Sequence, residues 1–356
     1  MRRATILAVL CSAALAAQQT PTNSNSAGTE GTVRTVPRAY ATIQAAIQAA
    51  SDGDRIVLSP GTYFENLDLL GKRVVIEGVT APELTRIDGN SKLMPTLRAT
   101  SKQSSGSVVR NLTITGGTGL PSAALKATDY YGAGVCAMGG ATLRLENCHI
   151  VANGTKGEGA TFGGGAYAGG KDTRIELVQC LVRGNHAWAT GGATLADMEA
   201  TVVHDRCTIV GNTARAWTFG HQGGVSVANS GKAVVTHSIV WDNAGFQVRA
   251  FGPPYDEGTK IDVTWSAVQY GIEGTGNLLT DPRFVDREKG DFRLLPDSPC
   301  IDAGDPKALR DPDGTPSDRG ALPVARDLGP KDKVEPKSEP RPTGPGGTKG
   351  TPPPGK

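Results

Sequence analysis

The chain has 356 residues, 47 of them glycine and 23 proline, with only 5% aromatic residues. This composition suits many tight turns around a thin core and argues against a thick, aromatic-rich globule. Lysine and arginine total 37 against 35 acidic residues, a net charge of +2, which gives no basis for nucleic-acid binding or for attraction to an anionic membrane.

Residues 1–17 read as a secretory signal. Arg2 and Arg3 form a charged start, residues 6–15 an apolar run, and Ala14-Leu15-Ala16 a small-residue cleavage pattern. The run is too short to span a bilayer. Cys11 follows Leu10 rather than a small residue, which argues against a lipoprotein site. No other stretch is apolar enough for a transmembrane segment. The protein is expected to be exported to the periplasm, the cell surface or the exterior.

Residues 18–35 are polar and small, a flexible leader. Residues 40–50 carry Ile43, Ala46, Ile47 and Ala50 on one helical face. Such a short helix would cap the open end of a repeat stack, where strand edges and core are otherwise bare. Strands follow at 54–58 and 72–78.

From there a repeat dominates. Leu112, Cys148, Cys180, Cys207, Ser238 and Ser266 occupy one position, at steps of 36, 32, 27, 31 and 28 residues. Repeats of this length mean one supersecondary unit each, stacked on its neighbours. Neighbouring columns alternate with period two, as strands do. Ser107, Leu143, Ile175, Val202, Ala233 and Ile261 form one apolar-rich column; Ile114, Ile150, Val182, Ile209, Val240 and Val268 form another. These predict a parallel β-helix solenoid, right-handed, single-domain and all-β, of about eight coils and about 40 Å long.

Asn153, Asn185, Asn212 and Asn243 form a column at a bend. Stacked amides can satisfy one another's donors and acceptors, and asparagine tolerates left-handed backbone angles. Cys148, Cys180 and Cys207 are expected as a buried thiol ladder, with a disulfide between coils as the alternative. Without Cys11 five cysteines remain, so at least one thiol is unpaired within the chain. Paired glycines mark a further strand in each coil. After them Val135, Ala166, Ala193 and Val225 should point inward with Ala137, Ala168, Leu195 and Val227, whereas Cys136, Tyr167, Thr194 and Ser226 should point outward.

The β-helix domain is placed at 36–327, with a C-terminal cap from about 281 to 327. Residues 328–356, rich in proline, glycine and lysine, form a disordered tail.

The runs ATIQAAIQAA, GDRIVLSPGTYFEN and KRVVIEG resemble the start of pectin-lyase-like right-handed β-helix proteins, pectin methylesterases among them. The resemblance covers residues 36–320 and implies the fold. It does not carry a reaction. The esterase GxxDFIFG-type and LGRPW-type segments are missing, as are the polygalacturonase NTD, DD, HG and RIK set and the lyase vWiDH and RxPxxR signatures. Fold alone does not give function.

Candidate chemistry lies on the loops after the asparagines, which stack along one face. Three residues on stand Lys156, Trp188, Arg215 and Phe246; near them are Glu158, His186, Trp217, Phe219, His221 and Arg249. Other loops add Asp129, Tyr130 and Tyr131, and Tyr255, Asp256 and Glu257. Aromatic rings pack on the apolar faces of sugars, and cations pair with uronate or sulfate. A lyase needs a base and a carboxylate-neutralising cation, for which His186, His221, Lys156 and Arg215 qualify. A hydrolase needs paired carboxylates, for which Glu158 with Asp129 is the candidate. The same residues also suit a plain solvated surface.

His204 interrupts an apolar inward column, as a hydrogen-bonded core histidine or at a bulge. His149 and His237 should face outward without evident partners. Asp311, Asp313 and Asp318, with Asp302 and Asp305, supply hard oxygens for calcium; their use as turn residues explains the same pattern. The expected function is an exported protein that binds or processes polysaccharide, acidic glycans first. The alternative is a non-catalytic structural or adhesion module of the cell surface, and the sequence leaves enzyme activity and oligomeric state open.

Overall fold

A computed structural model describes residues 31–90, 92–102, 106–121, 130–154, 161–215, 222–250, 258–311 and 313–322. The signal and tail assignments lie outside these, as do Asp129, Lys156, Glu158, Trp217, Phe219, His221, Tyr255, Asp256 and Glu257.

The described chain is a right-handed parallel β-solenoid. Three sheets run along it. Sheet A has nine strands, from Val33–Val36 to Lys260–Thr264; sheet B has eight, from Gly61–Tyr63 to Ala267–Val268; sheet C has seven, from Leu67–Asp68 to Val248–Ala250. Each turn visits A, B and C in that order and pairs in parallel with the turns before and after. The seven strands of sheet C limit complete turns to seven, slightly fewer than the about eight expected.

The inward columns stack as the sequence alternation requires. Leu143, Ile175, Val202, Ala233 and Ile261 are in register, as are Ile150, Val182, Ile209, Val240 and Val268. Together with the inward residues of sheet C they make one continuous core.

The solenoid begins earlier than expected. Val33–Val36, of which residues 33–35 were assigned to the leader, is the first strand of sheet A and pairs with Arg55–Leu58. The capping helix, α1, spans Ile43–Ala49 and buries Ile43, Ala46 and Ile47. Thr42 caps it by accepting from the Ala45 N–H at 3.1 Å. The Glu65 carboxylate accepts from the N–H groups of Ile43 and Gln44, each at 2.9 Å, where a negative charge suits the helix start.

The asparagine column is a hydrogen-bonded ladder. Asn153 Nδ2 donates to Asn185 Oδ1 at 3.0 Å, Asn185 to Asn212 at 2.9 Å, Asn212 to Asn243 at 2.8 Å, and Asn243 ends the run on Gln247 Oε1 at 2.8 Å. The left-handed angles fall on the preceding residues instead: Ala152, Gly184, Gly211 and Asp242 have φ of 53°, 61°, 62° and 53°. The left-handed bend is therefore made one residue early, and the asparagine that follows it reaches its neighbour.

Cys148, Cys180 and Cys207 are free, fully buried thiols. Each donates to a sheet A carbonyl of the preceding coil, that of Val109, Leu145 and Leu177, at 3.4, 3.5 and 3.3 Å. Ser238 and Ser266 continue the column, also fully buried.

In sheet C the expected register is wrong by one residue on one coil. Ala166 pairs with Thr194 and Tyr167 with Leu195. Gly163 and Gly191, with φ of 70° and 69°, are the corresponding turn positions, and counting from them gives the observed register. A Cβ on Gly191 would lie 2.7 Å from the Thr194 carbonyl oxygen, so the turn demands glycine. The column of Cys136, Tyr167, Leu195 and Ser226 does face out of the coil, yet all four are buried. Tyr131 and Phe162 fold over it, the Tyr131 ring 5.2 Å from Phe162 and 4.8 Å from Tyr167.

The inward place of Thr194 explains His204. The histidine is fully buried, with Nε2 3.1 Å from Thr194 Oγ1, so it is a hydrogen-bonded core residue and no bulge is needed. Burial lowers its pKa to about 4.

The segment after residue 281 turns back along the outside of sheet B. Its hairpin, Phe284–Asp286 with Asp291–Leu294, lays Phe284, Phe292 and Leu294 on Leu181, Val210, Ile239, Trp241 and Ala267. Ala321 N–H donates to Thr208 Oγ1 at 2.9 Å, and Arg183 lies over the Phe292 ring at 5.2 Å. The expected cap is thus a strap along four strands of sheet B. The backbone beyond the last coil is met by residues 274–278: Trp265 N–H donates to Thr275 O, and Val268 N–H to Leu278 O.

Candidate functional site on the stacked loops

Of the solenoid's outer faces, two are occupied by the chain itself. Sheet A carries arginines and glutamates that neutralise one another across coils. Arg110 pairs with Glu77 at 2.6 Å, and Arg144 with both Glu146 at 2.6 Å and Glu176 at 2.9 Å. Four strands of sheet B lie under the strap. On the same sheet, His149 stands 3.6 Å from Glu83, and beside it His237 Nδ1 is 3.2 Å from Asp205 Oδ1. Both histidines are half-buried and partnered, contrary to the expectation. Asp205 stays below the usual carboxylate range: burial pushes it up, but His237, Arg206 and Thr236 outweigh that.

The loops between sheets B and C are different. They stack into small sheets of their own. Tyr130–Tyr131 pairs with Thr161–Phe162, and His186–Ala187 with Thr213–Ala214. This pairing holds the side chains at fixed places despite the loop setting. Arg215 stacks its guanidinium over the Trp188 ring, 5.0 Å from the centroid, one coil across. Arg249 lies over Phe246 at 4.0 Å, and Phe246 is 43% exposed. Trp188 is half-buried and Arg215 exposed.

His186 sits one coil from Arg215 with Nδ1 2.8 Å from Thr213 Oγ1. Burial first, and the Arg215 charge second, hold its pKa below the ordinary value, so the imidazole is neutral at pH 7. The structure thus brings His186, Trp188 and Arg215 together, and Phe246 with Arg249. Tyr130 stands further along the same face, half-buried. Tyr131, 7% exposed, packs into the aromatic cluster instead.

Sequence reasoning passed over Asp197. It is 6% exposed, accepts from Tyr167 Oη at 3.1 Å and Asn229 Nδ2 at 2.8 Å, and burial still raises its pKa. Its only sequence signal is an acidic residue in a strand column of small and apolar ones.

The aspartates of the strap serve turns. Asp318 N–H donates to Asp311 Oδ2 at 2.8 Å, Asp302 N–H to Asp318 Oδ1 at 2.9 Å, and Thr315 N–H to Asp313 Oδ1 at 3.1 Å. Among the described residues no three or more histidine, cysteine or acidic side chains gather as metal ligands. No helix there is long and apolar enough to cross a membrane.

Two solved structures are similar to the chain at low identity. The pectin methylesterase of Aspergillus niger is 14% identical, with a TM-score of 0.39 over 70% of this chain and 83% of its own. The rice weevil pectin methyl esterase is 13% identical, with a TM-score of 0.37 over 82% of this chain and 87% of its own. A search of curated proteins returned no match. Residues 92–255, the coils that carry the asparagine and cysteine ladders, match the family model described as a right handed beta helix region, so the resemblance holds at the level of the fold.

Proposed function

We propose that the protein binds an acidic polysaccharide along the stacked B–C loops, outside the cytoplasm if the signal pattern of residues 1–17 acts as read. The observation that carries this reading is the pair of arginine-on-ring contacts on neighbouring coils, Arg215 on Trp188 and Arg249 on Phe246. A guanidinium lying flat on a ring is held in place, and its N–H edge can meet a carboxylate or sulfate in bidentate fashion. The ring beside it offers an apolar face to a sugar. Coils rise by about 4.8 Å, so successive loops follow an extended chain rather than a single compact ligand.

His186 adds a neutral imidazole next to a cation, the two elements of proton abstraction beside a uronate. Binding is the activity these residues support, and cleavage would draw on His186 and Arg215.

The test is binding of purified protein to polygalacturonate, a sulfated glycan and a neutral glucan, with release of unsaturated uronate and reducing ends followed in parallel. Retention by the acidic chains, lost in Trp188→Ala/Arg215→Ala, is the expected result. Equal retention by the neutral glucan, or none by any, would contradict it; the latter favours a structural module.

A further inference from the structure

We propose that a small inorganic anion binds beneath the strap, held by the Arg319 guanidinium and the Ser317 hydroxyl beside His237. Arg319 is only 3% exposed. Its Nε donates to the Ala303 carbonyl at 2.8 Å and its Nη2 to the Gly276 carbonyl at 2.8 Å. Nη1 has no partner, and no carboxylate among the described residues stands at ion-pair distance. A buried guanidinium without counter-charge is costly; carbonyl dipoles offset part of this and a negative ion offsets the rest.

Ser317 points to the same place independently. It is 3% exposed, and its hydroxyl is also without a partner. A Cβ on Gly304 would lie 2.2 Å from Ser317 Oγ and 2.9 Å from His237 Cδ2, so the hydroxyl and the imidazole meet over that glycine. His237 Nε2 is a third partnerless buried atom; with the ring N–H at Nδ1 facing Asp205, it is an acceptor that borders the site without binding the ion. Arg319, through its bonds to the Ala303 carbonyl, and Ser317 and His237, against Gly304, therefore all pack at the Ala303–Gly304 turn, and each carries one of the eight such atoms among the described residues. A water would satisfy the hydroxyl and the N–H but leave the charge; an anion answers both. Cys300, whose thiol burial pushes up to about 12, stays neutral and supplies no counter-charge. The bound ion would staple the strap to the corner of the coil, where Gly320 N–H already donates to the His237 carbonyl at 2.8 Å.

The experiment is thermal unfolding of the full chain with chloride replaced by the bulky anion gluconate at constant ionic strength. Wild type should gain stability with the logarithm of chloride once chloride exceeds its Kd, as mass action requires. Arg319→Gln should show no such gain, and should match or exceed wild type in gluconate, where a buried charge has been removed. Parallel curves would overturn the proposal, showing that water or the carbonyls suffice. Should Arg319→Gln fail to fold, Ser317→Ala keeps the charge and should need more chloride for the same gain. Chloride-35 line broadening on wild type gives a direct reading, and an unbroadened line would also overturn it.

Discussion

The same coils carry two apolar outer surfaces that end differently. On sheet B, Leu181, Val210, Ile239 and Trp241 are sealed by Phe284, Phe292 and Leu294 from the strap. On the B–C loops, Trp188 is met by Arg215 and Phe246 by Arg249. The coil interior is alike beneath both. A surface the chain covers with its own rings is structure. One met by the guanidinium of a long side chain presents a charged edge beside an apolar face. The solenoid repeat dictates the inside and leaves the outside free to differ.

The strapped side should break with the largest effect. Phe292→Ala removes a ring buried against sheet B and should cost about 3–5 kcal/mol in denaturant unfolding, with faster amide exchange across residues 281–322. An exchange change confined to residue 292 would show that the strap is held elsewhere. Next comes the ladder beneath both surfaces. Asn185→Ala deprives the backbone and side-chain N–H groups of Asn153 of their shared acceptor and should cost about 2–4 kcal/mol, judged by the same unfolding curves.

His204 sharpens the comparison from inside. Its folded pKa of about 4 lies below the unfolded value of about 6.5, so the unfolded chain binds the extra proton between those values. Stability should therefore fall by about 3 kcal/mol as pH drops from 6.5 to 4. The double variant His204→Leu/Thr194→Val, which removes both polar partners, should lose that part of the acid sensitivity. On the open side, Trp188→Ala or Arg215→Ala should leave unfolding within about 0.5 kcal/mol of wild type and weaken acidic glycan binding about tenfold.

The inward columns were legible because every coil repeats them: Ile150, Val182, Ile209 and Val240 announce one another. The asparagine ladder was legible for the same reason. The slip at Thr194 arose from aligning the glycine pair instead of its left-handed member, Gly191, a distinction of backbone angle that composition does not carry. The strap was hidden because Phe284 and Phe292 answer residues as distant in sequence as Leu181, on a face with no sequence period of its own. The outward direction of Tyr167 was legible, but its burial was not: a residue outside the coil can still be buried when a loop folds over it. Within the candidate site, Trp188, Arg215 and Phe246 could be named from loop position and Arg249 from its nearness to them, but their pairing into ring and cation could not.

The central claim is that the loop face, and not the strapped face, holds an acidic glycan. Its most direct test is calorimetric titration of polygalacturonate and a sulfated glycan into wild type, Trp188→Ala/Arg215→Ala and Phe292→Ala. The account predicts that an acidic glycan binds wild type and Phe292→Ala under folding conditions, and that the loop variant loses the heat of binding while unfolding as wild type does. Undiminished binding by the loop variant, or binding lost only when the strap is disturbed, would contradict it.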